Sequence, residues 1–332
     1  MATYKEINGT NIQVVSSDPS NPVEGQLWYN TSSNTVKGFI VSAGSWATGG
    51  ALNNARSQIA GAGVSSSSAL AFGGDTGALA KSVDTESYNG STWTEKNNLN
   101  TGRNAMGGAG TQTSALAFGG QLTFPPGGNT NNTESWNGSN WTEVNNLNTA
   151  RKLLAAAGAS NTACLAFGGD PTTADTETWN GSNWTEVNNL NDSRDALGGA
   201  GTNTSALAFG GNSPGFTTNT ELWNGSNWTE VNNLNAARKR IAGAGASNTA
   251  ALAFGGKSSG GPDPEVGNTE VWNGTNWTEV GDMSVVRGYL GGAGVNTNAL
   301  AFGGESPLSP TAPTATEEFS SGPATITLST TS

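Results

Sequence analysis

A string of four residues, Ala-Phe-Gly-Gly, occurs six times in this chain and limits the folds that it can adopt. The phenylalanines of the six copies are Phe72, Phe118, Phe167, Phe209, Phe254 and Phe302. Successive copies are 46, 49, 42, 45 and 48 residues apart. An arginine precedes each copy in the same frame, at Arg56, Arg103, Arg151, Arg194, Arg238 and Arg287. Repeats of this length are each one supersecondary unit that buries its apolar surface against its neighbours.

Each repeat carries signals for four β-strands. Small residues follow the arginine, as in residues 60–63, and the second strand is the apolar run that the double glycine ends. The third and fourth strands form a hairpin, clearest at residues 133–144, where Asn-Gly lies between alternating residues. Strand pairing puts Trp136 and Trp141 of this hairpin on one face. Residues 149–158 resemble a short helix, but their glycine-rich equivalents at 101–110 disfavour helix, so we predict strand in every copy.

The sixth repeat is incomplete in a way that predicts how the repeats are joined. Its third strand ends at Phe319 with no tryptophan strand after it, whereas a matching Trp46 lies just before the first arginine. Pairing of these two segments would complete the last repeat and remove exposed sheet edges. We therefore predict an all-β chain with a six-bladed β-propeller at residues 44–319. Residues 1–43 are predicted to form a separate N-terminal attachment or hairpin segment, and residues 320–332 a C-terminal edge segment.

The repeat also resembles a known motif. An arginine opens the first strand, a double glycine closes the second, and an aromatic residue and a tryptophan occupy the outer hairpin. This combination is similar to the kelch motif over about residues 50–319, although the aromatic-to-tryptophan spacing of five is shorter than usual. The resemblance implies a kelch-type propeller with a tighter outer hairpin.

Residues 22–38 resemble a second family. They contain Gly-Gln-Leu-Trp-Tyr-Asn, a polar turn and then a second strand, which is similar to a short hairpin of bacteriophage tail and fibre proteins. The resemblance implies a component of a phage particle (a virion), with this segment as its attachment point. A hairpin that only packs on the last repeat is the alternative.

Composition excludes several classes of function. Histidine is absent, which rules out His-dependent triads and the usual Zn, Cu and Fe sites, and we expect neither a metal nor another cofactor. The net charge of −11 disfavours nucleic acid as a partner. The single cysteine, Cys164, lies in a repeat strand and is expected to be a small buried residue. No apolar run is long enough for a membrane span, and the N-terminus lacks a secretory signal, so we expect synthesis in the host cytoplasm and no membrane insertion.

The connections between second and third strands vary in length and content, whereas those between fourth and first strands are nearly invariant. Variable loops on a repeated scaffold are the usual place for recognition, with neutral insertion as the alternative. The binding-loop candidates are Asp75, Phe124, Pro125, Asp170, Phe216, Asp263, Glu265 and Glu305. The recurring glutamates, such as Glu134 and Glu143, are expected to face solvent or to pair with the repeat arginines.

Three functions remain open from the sequence. We favour a non-enzymatic virion protein, a decoration or tail appendage, that contacts other virion proteins or a host surface glycan or receptor through its loops. The second is a glycan-processing hydrolase of propeller fold, which would need Asp75, Asp170, Asp263 and Glu305 to converge in one cleft. The third is an intracellular kelch-type interaction scaffold.

Overall fold

All regular secondary structure in the described residues is β-strand. The structure is a computed structural model and describes residues 12–23, 25–77, 81–123, 128–260, 263–307 and 313–328. The chain divides into two compact units, one formed by Met1–Gly44 with Ser321–Ser332 and the other by Ser45–Ser320. Residues 149–158 contain no helix, and a strand begins within them at Ala155, as the repeat predicts.

The strands follow the repeats along the chain. Before the first repeat come β1 (Gln13–Val15), β2 (Leu27–Asn30) and β3 (Thr35–Thr48). The first two repeats contain β4 (Ala60–Ser65), β5 (Ser68–Phe72), β6 (Thr85–Tyr88), β7 (Trp93–Lys96), β8 (Arg103–Asn104), β9 (Gly107–Thr111), β10 (Ser114–Phe118), β11 (Gln121–Leu122), β12 (Gly128–Asn129), β13 (Thr133–Trp136) and β14 (Trp141–Val144). The third and fourth contain β15 (Ala155–Ser160), β16 (Ala163–Phe167), β17 (Thr176–Trp179), β18 (Trp184–Val187), β19 (Gly198–Thr202), β20 (Ser205–Phe209), β21 (Thr220–Trp223) and β22 (Trp228–Val231). The last two contain β23 (Arg238–Lys239), β24 (Ala242–Ser247), β25 (Ala250–Phe254), β26 (Lys257–Ser258), β27 (Thr269–Trp272), β28 (Trp277–Glu279), β29 (Gly291–Val295), β30 (Asn298–Phe302) and β31 (Thr316–Leu328).

The smaller unit is built on the hairpin of β2 and the first part of β3. β1 pairs with β2 in parallel, β2 pairs with β3 in antiparallel, and β31 follows β3 in the strand order. The Asp18 carboxylate accepts hydrogen bonds from Trp28 Nε1 (3.0 Å), Asn30 Nδ2 (2.7 Å) and Lys37 Nζ (2.8 Å). One carboxylate thereby joins both strands of the hairpin.

In the larger unit, each of the first five repeats contains a four-stranded antiparallel sheet whose strands lie in chain order, and β8, β11 and β12, like β23 and β26, form small separate sheets. In the second repeat, Trp136 lies directly opposite Trp141, and their rings are 5.3 Å apart, which confirms the predicted face. In the sixth repeat, β29, β30 and β31 are followed by β3 in the strand order. β31 is one continuous strand from Thr316, so the third strand of this repeat and the C-terminal segment are a single element.

Glycine and alanine dominate the first strand of each sheet because these strands lie very close to one another. A Cβ added to Gly243 would come within 2.4 Å of the carbonyl oxygen of Gly199 in the neighbouring sheet. One added to Gly61 would come within 2.6 Å of the carbonyl oxygen of Gly292. Real Cβ atoms do not approach backbone this closely, so these positions require glycine.

Aromatic residues fill the space between consecutive sheets. Each apolar strand ends in a fully buried phenylalanine that packs on the tryptophan of the next sheet's outer strand, such as Phe72 on Trp141 at 4.9 Å. The indole N–H of that tryptophan donates to a buried threonine hydroxyl of the preceding sheet, as Trp141 does to Thr85 at 2.9 Å. Cys164 is fully buried in the same layer, and burial raises the pKa of its thiol above the ordinary value.

The same contacts link the first and last repeats. Trp46 packs on Phe254 (5.0 Å) and on Phe319 (5.2 Å), and its indole N–H donates to Thr269. Trp93 in the first repeat packs on Phe302 and donates to Thr316 of the sixth. Trp46 therefore makes the contacts that the outer-strand tryptophan makes in the other sheets.

A belt of buried ion pairs runs through the repeats. Each repeat arginine is fully buried and bonds the glutamate of the third strand in its own repeat. The pairs are Arg56–Glu86, Arg103–Glu134, Arg151–Glu177, Arg194–Glu221, Arg238–Glu270 and Arg287–Glu317. The second oxygen of Glu134 also accepts the backbone and side-chain N–H groups of Asn100. Glu134 thus pairs with a repeat arginine, as predicted, and also holds the nearly invariant connection that precedes this arginine. Glu143 is exposed, which is the other expectation for these glutamates.

Candidate functional site

Six residues, each placed two positions after a repeat arginine, share an unusual backbone conformation. They are Gln58, Ala105, Leu153, Ala196, Arg240 and Tyr289, with φ between 50° and 57°. This left-handed conformation costs a residue other than glycine about 1–2 kcal/mol. Neighbouring structure has to hold it in place.

Hydrogen bonds between these residues hold that conformation. The N–H of each one donates to the carbonyl oxygen of its counterpart in the preceding repeat, at distances from 2.7 to 3.1 Å. The series closes on itself, because Gln58 in the first repeat donates to Tyr289 in the sixth at 2.8 Å. We call these six residues the mouth ring.

The mouth ring and the residues that follow it line a cavity of about 100 Å³. Ile59, Met106, Leu154, Leu197, Ile241 and Leu290 form its apolar part. The glycines and alanines of the first strands, which come next in the chain, line a second cavity of about 80 Å³. The side chains of the mouth ring are therefore the chemically varied part of this central space.

One half of the mouth ring is polar and the other is apolar. Arg240, Tyr289 and Gln58 come from the consecutive fifth, sixth and first repeats, whereas Ala105, Leu153 and Ala196 come from the second, third and fourth. The guanidinium carbon of Arg240 lies 4.0 Å from the ring centre of Tyr289, the distance of a cation–π contact. Gln58 Oε1 accepts a hydrogen bond from Asn104 Nδ2, which leaves its own amide N–H groups as donors.

Tyr289 stays protonated over the whole physiological range. Burial is the main cause that raises the pKa of its hydroxyl to about 12, and the negative charges of Glu305 and Asp195 add to the effect. The Arg240 guanidinium acts in the opposite direction. Tyr289 therefore offers a neutral hydroxyl and a partly covered aromatic ring.

The predicted acidic residues are held in ion pairs, and two of them share one lysine. Within the described residues, each pairs with a lysine: Asp75 with Lys81 (2.5 Å), Asp170 with Lys152 (3.5 Å), Asp263 with Lys239 (3.1 Å), and Glu265 (2.8 Å) and Glu305 (3.8 Å) with Lys257. Asp75, Asp170 and Glu305 all directly follow the double glycine of their repeats. They occupy the same position in different repeats.

The other predicted loop residues divide in two. Phe216 lies under the Lys239 ammonium, which is 4.3 Å from its ring centre, so it belongs to the Lys239–Asp263 pair. Phe124 and Pro125 lie outside the described residues.

Three residues of the mouth ring, Gln58, Arg240 and Tyr289, are absent from the sequence-based candidates. The variable loops suggested a site elsewhere, whereas these residues directly follow the nearly invariant connection. A signal was present at the second position after each repeat arginine. There the six copies read Gln, Ala, Leu, Ala, Arg and Tyr, although the connection before them hardly changes.

Two further findings concern metal-ligand groups and long apolar helices. In the part of the chain that the structure describes, no three His, Cys, Asp or Glu residues group closely enough to hold a metal ion. That part also has no helix long and apolar enough to cross a membrane.

Comparison with known proteins bears on the fold. The solved structure of YjhT is similar to this chain with a TM-score of 0.66 and 12% sequence identity, over 80% of this chain and 95% of that one. The chain has a β-propeller fold. At 12% identity, the likeness to YjhT shows a shared fold and does not indicate a shared activity. No family model and no curated protein matches the chain.

Proposed function

We propose that this chain is a non-enzymatic binding protein of a phage particle, and that its propeller takes a host surface glycan at the mouth ring. One observation carries the binding role. The framework around the mouth ring is nearly identical in all six repeats, whereas the side chains it presents differ from copy to copy. Side chains that differ between the copies of a repeated scaffold are expected where a protein recognises an asymmetric ligand.

The shape of the site favours a small group over a flat protein surface. Protein–protein interfaces usually bury about 800 Å² on each partner, whereas small-molecule sites are concave, mainly apolar and carry a few polar groups. The mouth ring lies at a cavity of about 100 Å³ with an apolar lining and three polar side chains. This volume is below the roughly 300–1,000 Å³ of an ordinary ligand pocket, so the end of one terminal sugar residue is a suitable occupant.

We also propose that the six sheets are the blades of one closed kelch-type propeller whose last blade includes the N-terminal strand. The hydrogen bond from Gln58 to Tyr289 and the Trp46 contacts with Phe254 and Phe319 support closure. The buried arginine, the double glycine and the outer tryptophan support the kelch type. Closure matters for function because it fixes the six side chains of the mouth ring around one cavity.

The charge pairing supports binding over hydrolysis. A glycoside hydrolase needs two carboxyl groups on either side of one bond. In the described residues, Asp75, Asp170, Asp263 and Glu305 each pair with a lysine. A carboxylate oxygen that is engaged by a lysine is less available to act on a glycosidic bond.

Location in the virion rests on the resemblance of residues 22–38 to phage tail and fibre hairpins. Mass spectrometry of purified phage particles tests it. We expect peptides of this chain at a stoichiometry typical of a structural component, and their absence from pure particles would remove the virion role.

Binding at the mouth ring is tested separately with labelled protein and host cells. We expect Tyr289→Leu and Gln58→Ala to reduce cell binding, because each removes a polar group from the cavity. Leu153 and Ala105 occupy the equivalent positions in other repeats, so both changes suit the backbone. Glu143→Gln on the outer surface is the control and should bind as the unaltered chain does. Unchanged binding by both mouth variants would contradict a site at the mouth ring.

A further inference from the structure

Arg240 differs from every other arginine of this chain. The six repeat arginines are fully buried and paired with glutamates. Arg240 is partly exposed in the mouth ring, and no carboxylate of the described residues lies within 4.0 Å of its guanidinium. A chain with a net charge of −11 has many carboxylates that could pair with Arg240, yet none of those described does so.

Two lysines near Arg240, unlike Arg240 itself, have carboxylate partners. Lys239 pairs with Asp263, and Lys257 is shared by Glu265 and Glu305. Arg240 is the one cation of the mouth ring. No carboxylate among the described residues pairs with its guanidinium N–H donors. Its contact with the Tyr289 ring at 4.0 Å orients the planar group.

We propose that Arg240 binds the carboxylate of an acidic sugar residue, such as a uronic acid, in the cavity at the mouth ring. This inference rests on the proposed glycan-binding function and specifies its ligand. Guanidinium and carboxylate groups form two parallel charge-assisted hydrogen bonds, which give both strength and orientation. Gln58 is available to donate a further hydrogen bond to the sugar.

The surrounding charges favour a ligand with one negative charge and many hydroxyl groups. Glu305 and Asp195 both act on Tyr289 at the mouth ring, and Asp195 accepts hydrogen bonds from Thr172 and Asn212. Lys257 lies 5.9 Å from the Tyr289 ring centre but is paired with Glu265 and Glu305. The carboxylates repel a doubly charged phosphate more strongly than a singly charged carboxylate. Carboxylates accept hydrogen bonds, so hydroxyl groups on the ligand suit the same surroundings.

The test compares two sugars that differ only in the carboxylate, methyl β-D-glucuronoside and methyl β-D-glucoside. Each is titrated into the full chain at low salt while backbone amide signals are followed by NMR. We expect the glucuronoside to shift the amides of residues 240 and 289 and to bind at least about ten-fold more tightly than the glucoside, the usual size of a lost charge-assisted bond. The tighter binding should weaken with added salt.

Arg240→Gln is the decisive variant, because Gln58 shows that glutamine adopts this backbone conformation. It should bind the glucuronoside no better than the glucoside. Lys96→Gln removes the same charge from the exposed outer strand β7 and should leave the affinity unchanged.

Three results would overturn the inference, and they separate it from the proposed function. Equal binding of both sugars at the mouth ring would exclude the carboxylate role and leave glycan binding there in place. Full glucuronoside affinity in Arg240→Gln would exclude Arg240 as its ligand. Failure of both sugars to shift the amides, together with unchanged host-cell binding by the mouth variants, would remove the inference and the binding site together.

Discussion

Arg238 and Arg240 lie two residues apart in the chain and belong to two different regions of the propeller. Arg238 is in the belt of buried ion pairs, where it bonds Glu270 and the carbonyl oxygens of Gly255 and Asn268. Arg240 is in the mouth ring, partly exposed and without a carboxylate partner among the described residues. The belt repeats one set of side-chain contacts six times, whereas the mouth ring repeats a backbone conformation and its backbone hydrogen bonds but not its side chains. The difference separates the residues that build the framework from those that are free to carry recognition.

The largest expected effect comes from breaking the belt. Glu134→Ala should lower the free energy of unfolding by about 3–5 kcal/mol, because it leaves Arg103 buried without a counter-charge. Chemical denaturation followed by tryptophan fluorescence measures the change. Glu143→Ala, directly opposite in the hairpin but exposed, is the control and should change stability by less than about 0.5 kcal/mol. Similar losses for the two variants would mean that the belt is not the framework.

The next effect concerns Trp46, which joins the N-terminal strand to the fifth and sixth repeats. Trp46→Ala should cost about 2–3 kcal/mol, because it removes a partly buried ring from between Phe254 and Phe319. Trp46→Phe keeps most of the packing but loses the hydrogen bond to Thr269, so its cost should be about 1 kcal/mol. Thermal and chemical unfolding measure both. No loss in Trp46→Ala would contradict a structural role for this tryptophan.

Changes in the mouth ring should affect stability less than changes in the belt or at Trp46. Arg240→Gln and Tyr289→Leu should each shift the free energy of unfolding by less than about 1 kcal/mol, since glutamine and leucine already occupy equivalent positions in other repeats. The same unfolding measurements check this. A loss as large as that of Glu134→Ala would place the mouth ring in the framework and end the distinction between the two regions.

An exposed ion pair in the smaller unit provides a contrast with the buried belt. Hydrogen bonds from Lys37, Trp28 and Asn30 lower the pKa of Asp18 from 3.8 to about 2. Because the pKa is lower in the folded state, the stabilisation is complete above about pH 4 and is lost as the pH falls toward 2. The indole N–H signal of Trp28 in an NMR pH titration should shift in that window. Asp18→Asn should abolish the shift, and an unchanged shift in this variant would exclude Asp18 as its cause.

The strands and their pairing partners could be predicted from the sequence because the repeat makes the same pattern visible six times. The Trp136–Trp141 pair and the neighbouring positions of Trp46 and Phe319 follow from such patterns. The mouth ring could not be predicted in the same way. Left-handed backbone is normally signalled by glycine or asparagine, whereas here tertiary hydrogen bonds impose it on Gln, Ala, Leu, Arg and Tyr.

The partners of the loop residues could not be predicted from the sequence either. Nothing in the local pattern indicates that Lys81 would pair with Asp75, or that one lysine would serve both Glu265 and Glu305. These pairs depend on how loops fold back on the first strands. Variation in loop sequence therefore indicated residues other than those of the site that we propose.

Hydrogen exchange at the mouth ring tests most directly whether a closed framework holds the site. The amide of Gln58 donates to Tyr289 and links the first repeat to the sixth, whereas those of Ala105, Leu153 and Ala196 link consecutive repeats. If the ring is closed, all four amides exchange slowly and with similar protection. Fast exchange at Gln58 beside slow exchange at the other three would contradict closure and, with it, a mouth ring shared by all six repeats.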